Sequence, residues 1–320
     1  MKKHCFSVLF RFVIFFTGCI GLPGSGVFGQ NESKPFDNSS FLTVDSVRFH
    51  IRVWNGYLTK PTGKVLMVHG FCGSTFAWRK NCDTLAALNF KVVTVDLPGF
   101  GYSERNVKIN QSQSNRARLL WDLLKQIDGD DTTGWNIIGH SMGGGTVEAM
   151  ALMQPKRTKT VTIIDGMVFK KNGNLKGAFI TMSRWKKANK IFVSYAKNNI
   201  LKDRNLRRLL RKAYGYIPDS AIIEAYTKPL RIEGTAESII SVFSNADEIC
   251  KLNASGLASL PVMLIWGKKD RIIGLSQGKK LKRAVPSIDL KVIPDAKHMA
   301  METNPALFNN YLVVFLEKNN

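Results

Sequence analysis

The spacing of apolar residues changes character twice along this chain, and each change marks a boundary. Over residues 41–54 apolar and polar positions roughly alternate (Leu42, Val44, Val47, Phe49, Ile51, Val53). That is the period of a half-buried strand and predicts a hairpin or two edge strands. After Gly63 short continuous apolar runs take over, at 65–68, 92–95, 137–138, 161–164, 262–266 and 290–293. Runs of that length suit strands buried on both faces, as in a parallel sheet covered by helices. Segments 78–88, 117–127, 146–153, 278–284 and 305–316 separate most of them and carry apolar residues three to four apart. Alternation of this kind predicts an α/β fold, a doubly wound and mostly parallel sheet.

The second change falls at 169–256. Strand–helix alternation stops there, and amphipathic helical patterns rich in Lys and Arg appear instead. Lys186, Lys187, Arg204, Arg207, Arg208, Arg211 and Lys212 stand out, with Trp185, Phe192 and Tyr195 among them. The block reads as a basic helical cap inserted into a core made of 41–168 and 257–320. Its charges either surround an entrance or form a solvated helical face. Residues 30–40 are polar and read as a flexible lead-in. Residues 1–29 differ in kind. Lys2, Lys3 and Arg11 precede an apolar stretch at 12–22, and Val27-Phe28-Gly29 offers a cleavage point, the layout of a secretory signal. Phe16-Thr17-Gly18-Cys19 also resembles a bacterial lipobox, which would lipidate Cys19 and tether the chain to a membrane. Both readings predict export to a periplasmic or extracellular location.

Composition adds two constraints. A net charge of +22 on 320 residues favours anionic partners, an anionic membrane surface among them. No nucleic-acid recognition motif accompanies it, so nucleic acid is not an expected partner. Beyond the signal segment only Cys72, Cys82 and Cys250 remain. An odd number with no metal-ligand spacing predicts neither a disulfide framework nor a zinc site.

The candidate chemistry begins at Gly139-His140-Ser141-Met142-Gly143, which reads G-x-S-x-G between an apolar run and a helical pattern. Strand, sharp turn and helix together make a nucleophile elbow, with the serine in a strained backbone geometry. The flanking glycines are required where strand and helix crowd together. A serine hydroxyl needs a base, itself oriented by an acid. His298 follows the last apolar run, and Asp270 follows the one before it; Asp165, after the run at 161–164, is the alternative acid. The C-terminal ends of parallel strands share one edge, so these positions can meet Ser141. Backbone N–H groups of Met142 and of Phe71, in His69-Gly70-Phe71-Cys72-Gly73, are the candidate oxyanion donors, with Cys72 as the alternative to Phe71.

His69-Gly70-Phe71, the run Asp96-Leu97-Pro98-Gly99-Phe100-Gly101-Tyr102-Ser103, the elbow, Asp270 and His298 together resemble the α/β-hydrolase fold superfamily. The resemblance covers roughly 41–168 and 257–320 and is closest to the branch of small-molecule esterases, lactonases, C–C bond hydrolases, epoxide hydrolases, haloalkane dehalogenases and cofactor-free haloperoxidases. Ser141 counts against the dehalogenases and epoxide hydrolases, which use an aspartate nucleophile. The resemblance implies that Asp96 is a turn-forming, structural acid. The expected activity is hydrolysis of a carboxylic ester through an acyl-enzyme, without a cofactor. Phe71, Met142, Met299 and Trp78 suggest a partly apolar small-molecule substrate. Lactone hydrolysis, perhydrolysis and C–C cleavage use the same triad, and a non-catalytic protein binding anionic lipid or polymer is the alternative of a different class.

Overall fold

The computed structural model describes residues 34–105, 109–129, 131, 133–166, 186–245 and 254–320. The predicted export segment with Cys19, Trp185 in the predicted cap and Cys250 lie outside them. The first two strands, β1 (Ser39–Val44) and β2 (Val47–Trp54), form the predicted hairpin. Asp45 and Ser46 both take positive φ at its tip, 47° and 62°, the two-residue turn whose twist matches that of the strands. Six parallel strands follow: β3 (Gly63–Val68), β4 (Phe90–Val95), β5 (Trp135–His140), β6 (Thr158–Ile164), β7 (Val262–Gly267) and β8 (Asp289–Ile293). The eight strands make one sheet in the order β1-β2-β4-β3-β5-β6-β7-β8, with β2 antiparallel to β4.

Helices cover both faces. On one side lie α2 (Gln113–Asp128), α3 (Met142–Met153) and α8 (Ser276–Ala284), packed on Leu66, Val68, Ile137 and Leu264. On the other, α1 (Cys82–Ala87), α9 (Ala300–Thr303) and α10 (Pro305–Asn319) pack on Val65, Met67, Ile138 and Ile265. Neighbours in one strand thus enter opposite core layers, which is why these strands read as unbroken apolar runs. The segment predicted as one helix over 78–88 is divided, with a 3₁₀ turn at Thr75–Trp78 ahead of α1. The Asn81 side chain between them donates to Met301 O at 3.0 Å and to Asn309 Oδ1 at 2.8 Å, so tertiary hydrogen bonds override the local helical pattern.

Between β6 and β7 every described element is helical: α4 (Lys186–Tyr195), α5 (Asp203–Tyr214), α6 (Ser220–Thr227) and α7 (Thr235–Ser244), with short 3₁₀ and π turns. On α5, Leu206, Leu210, Ala213 and Tyr214 point inward while Arg204, Arg207, Arg208, Arg211 and Lys212 are exposed. Arg105 fastens this block to the loop after β4. Its guanidinium donates to Thr235 Oγ1 at 3.2 Å and Pro229 O at 2.9 Å, and also to the carbonyls of Gly101 and Ser103. Cys72 and Cys82 are free and buried, and burial pushes both thiols up, away from reactivity.

Asp96 joins three segments at the C-terminal edge of the sheet. Its carboxylate accepts from His50 Nδ1 on β2 at 2.7 Å, from Thr75 N at 2.5 Å and from Tyr102 N at 2.7 Å. Burial opposes its ionisation, but the hydrogen bond and charge of His50 outweigh this and hold the carboxyl below its usual range. Asp96→Ala strips three donors of their acceptor, and urea denaturation should show a loss of about 3–5 kcal/mol. Glu148 on α3 behaves in the opposite way, because burial alone raises its carboxyl to about 8. Between the ordinary 4.5 and about 8 the folded chain holds a proton that the unfolded chain releases, so rising pH favours unfolding across that window. Glu148→Gln removes this proton from the linkage; its melting temperature should fall less than that of the wild type between pH 5 and pH 8.

Candidate active site

The turn between β5 and α3 puts Ser141 at φ 53° and ψ −114°, a conformation that costs a residue with a side chain ~1–3 kcal/mol. Two things hold it there. Ser141 N donates to Ile164 O of β6 at 2.8 Å, and α3 starts so close to the sheet that no Cβ fits beside it. A methyl group at Gly143 would lie 2.4 Å from Val68 O and 2.5 Å from His69 O, and one at Gly139 would lie 2.2 Å from Gly143 O. A serine at a helix start usually turns its hydroxyl onto the backbone N–H groups of the first turn. Here Ser141 makes no such bond, and its Oγ meets His298 Nε2 at 3.0 Å instead.

His298 stands in the loop between β8 and α9, and Asp270 in the loop after β7. Asp270 Oδ2 lies 2.7 Å from His298 Nδ1, while Oδ1 accepts from Ile272 N at 2.6 Å and Ile273 N at 3.2 Å. With Nδ1–H pointing at the carboxylate, Nε2 carries the lone pair that faces the serine hydroxyl. A hydroxyl so placed can pass its proton to the imidazole as it attacks a carbon. All three side chains are buried to within a few per cent.

Asp165, the alternative acid, sits behind this line and makes no hydrogen bond to His298. It accepts from Gly267 N at 2.8 Å. Burial first, and then the nearby charge of Asp270, raise its carboxyl well above the usual range, toward the protonated form. His140, assigned from the sequence only to a glycine-rich turn, has a distinct place. Its Nε2–H donates to the backbone O of His298 at 2.7 Å, and burial followed by the charge of His298 keeps it neutral. From the cap, Ala213 O accepts from His298 N at 3.0 Å. One turn further on, the buried Glu302 carboxylate receives Tyr214 and Tyr226 hydroxyls from α5 and α6 and pairs with Arg79. Neither the His140 bond nor the Ala213 bond has a sequence signature, because each depends on which backbone group lies across the loop.

The turn after β3 closes with Gly73 N donating to Gly70 O at 3.0 Å, and Cys72 takes a positive φ of 57° within it. His69 shapes the entry: its Nε2 accepts from Leu97 N at 2.9 Å, so Nδ1–H donates to Gly70 O at 2.7 Å. A methyl group on Gly70 would lie 3.0 Å from Ser141 Cβ, which sets this turn directly against the serine. Phe71 is flanked by Phe100 and by Phe243 of α7, each at a ring-centroid distance of 5.6 Å. Met142 and Met299 are buried at the site, and Trp78 is fully buried in the core layer with Val65 and Met67. His140, Asp165 and His298 bring potential ligand atoms within 4.8 Å of one another. Their hydrogen bonds already engage His140 Nε2 and both nitrogens of His298, so they do not make a free metal-ligand set.

Comparison with known proteins agrees with this architecture. A family model for the alpha/beta hydrolase fold matches residues 64–305. The uncharacterized hydrolase YugF of Bacillus subtilis is 24% identical over 277 residues, covering 86% of this chain and 97% of that one. A 2-hydroxy-6-oxononadienedioate/2-hydroxy-6-oxononatrienedioate hydrolase of Cupriavidus pinatubonensis is 22% identical, covering 87% and 95%. Among solved structures, a probable hydrolytic enzyme of Pseudomonas aeruginosa PAO1 superposes with a TM-score of 0.70 at 18% identity, over 89% of this chain and 95% of that one. The family model spans well over half of the sequence, and the chain belongs to the alpha/beta hydrolase fold family.

Proposed function

We propose that this hydrolase cleaves a carboxylic ester of a small, partly apolar molecule through an acyl-enzyme on Ser141. The observation that carries the reading is the continuous line Ser141 Oγ, His298 Nε2, His298 Nδ1, Asp270 Oδ2, with contacts of 3.0 and 2.7 Å. Ser141 attacks the ester carbon as His298 takes its proton, and His298 then gives that proton to the departing alcohol. A water molecule deprotonated by His298 releases the acid and restores the serine. Asp270 keeps the imidazole in the right tautomer and stabilises its charged form. The Met142 and Phe71 N–H groups receive the negative oxygen, each worth about 3 kcal/mol in such a position. The chemistry calls for no cofactor. The aromatic wall of Phe71, Phe100 and Phe243 supports an apolar portion in the substrate.

Likeness to the dienedioate hydrolase of Cupriavidus pinatubonensis favours a second reading, C–C bond cleavage on the same triad. The layout of residues 1–29 supports export, with Cys19 as an alternative lipid anchor, and the net charge supports contact with an anionic membrane surface. Intact-mass analysis of exported material distinguishes cleavage from lipidation.

A fluorophosphonate probe should label the wild-type protein and leave Ser141→Ala unlabelled, with p-nitrophenyl ester hydrolysis lost in parallel. A wild-type protein that neither labels nor turns over such esters refutes the ester reading. Asp270→Asn should lower kcat by about 10⁴-fold through the wrong imidazole tautomer. Asp165→Asn, which removes a carboxyl that makes no hydrogen bond to His298, should cost far less; an equal loss would show that Asp165 shares the orienting role.

A further inference from the structure

Arg79 and Arg105 both lie against the core and each finds acceptors, although Nη2 of Arg79 has no hydrogen-bond partner among the described residues. Arg79 pairs with Glu302, and Arg105 donates to three carbonyls and a hydroxyl. Arg116 on α2 is different. It is 1% exposed, and its hydrogen bonds are the two from Nε and Nη2 to a single oxygen, Gln111 Oε1, at 3.2 and 2.9 Å. A guanidinium has five N–H donors, so three are left without an acceptor among the described residues. No carboxylate there forms an ion pair with it. Burial lowers Arg116 to about 9, so it is still a cation at neutral pH. A desolvated cation with neither a counter-charge nor its full set of hydrogen bonds is costly to keep folded.

The surroundings show where that charge is available. Ser238 of α7, also 1% exposed, has an Oγ with no hydrogen-bond partner among the described residues. Both Ser238 and the Gln111 amide crowd Gly99: a methyl group there would lie 2.9 Å from Ser238 Oγ and 3.4 Å from Gln111 Nε2. The next residue, Phe100, packs on Phe71 of the oxyanion turn. One helical turn before Arg116, Gln113 Nε2 donates to Met142 O at 3.1 Å. Long side chains on a helix lean toward its N-terminus, which carries the guanidinium toward this same edge. Burial depresses the His69 imidazole, and the charge of Arg116 adds to that effect, which sets the cation within electrostatic reach of the oxyanion turn.

We propose that Arg116, together with Gln111 and Ser238, holds a carboxylate of the substrate, so that the molecule cleaved at Ser141 is an anionic acid derivative. The planar guanidinium suits the two oxygens of a carboxylate, and the Ser238 hydroxyl adds a third donor from the cap side. The acyl carbon then lies at the serine, with the carboxylate beyond Phe100, under α7. This inference rests on the reading of Ser141 as nucleophile, and the first of two measurements shares that dependence.

In the first, kcat/KM is compared for p-nitrophenyl hemiesters of dicarboxylic acids from malonate to adipate against neutral p-nitrophenyl esters of equal chain length. At least one hemiester should exceed its neutral partner by about tenfold or more in the wild type. Arg116→Met should bring that ratio close to one, mainly through KM, whereas Arg204→Met on the exposed face of α5 should leave it unchanged. A wild type that never prefers a hemiester, or an Arg116→Met protein that keeps the preference, overturns the proposal. The second measurement does not use turnover. Glutarate or another acid of the series should raise the melting temperature of full-chain Ser141→Ala, and Arg116→Met in that background should abolish the rise. No rise with any member overturns the proposal even if Ser141 proves to be the nucleophile. Should Arg116→Met fail to fold, Ser238→Val and Gln111→Leu must each reduce the same ratio, and two unchanged ratios would overturn it equally.

Discussion

The structure turns on how closely α3 approaches the sheet. With Gly143 against the carbonyls of Val68 and His69, the helix begins within contact distance of β3, and the chain reaches it from β5 only through the φ of 53° at Ser141. Strand pairing supplies what holds this conformation. The bond from Ser141 N to Ile164 O ties the turn to β6, and the β3–β5–β6 register fixes all three strand ends at one level. The strain is local, whereas the packing that opposes its release spreads over two core layers. One consequence is chemical: the serine hydroxyl does not cap its own helix and stays available to His298.

The imidazole, by contrast, is held from several directions at once. Its ring is set by Asp270, its carbonyl by His140 and its amide by Ala213 of the cap. Those three contacts come from the loop after β7, the elbow itself and the end of α5. Glu302 strengthens the third, because Tyr214 and Tyr226 bring two cap helices onto a buried carboxylate on α9, four residues past His298. The helical block between β6 and β7 is therefore tied to the loop that carries His298. It supplies one of the anchors that fix the height of the base above the serine, so changes in cap packing reach the geometry of the triad through α5.

Much of this was legible in the sequence, and what was not has a common cause. Apolar runs gave the six parallel strands, alternation gave the hairpin, and a Gly/Ser pattern in the right context gave the elbow. Each of those signals is local, a matter of period or of backbone crowding within a few residues. The break between Trp78 and Cys82 was missed because it is set by bonds from Asn81 to residues more than two hundred positions away. Asp165 remained as an alternative to the chosen Asp270 for a similar reason. Both follow a strand of the right sheet, and only the loop after β7 carries its carboxylate onto the imidazole. His140 looked like a turn residue because its partner, a backbone carbonyl at 298, has no identity that a sequence can display. Trp78, one of the residues expected near the substrate, is fully buried in the core layer with Val65 and Met67.

Charge is distributed around the site by the same burial that shapes it. His69 and His140 are kept neutral by desolvation, and burial with the charge of Asp270 pushes the Asp165 carboxyl the other way, toward its protonated form. Arg116 is the reverse case, a buried cation that no carboxylate pairs with among the described residues. The elbow therefore sits among groups whose charge is decided by burial rather than by surface ion pairs.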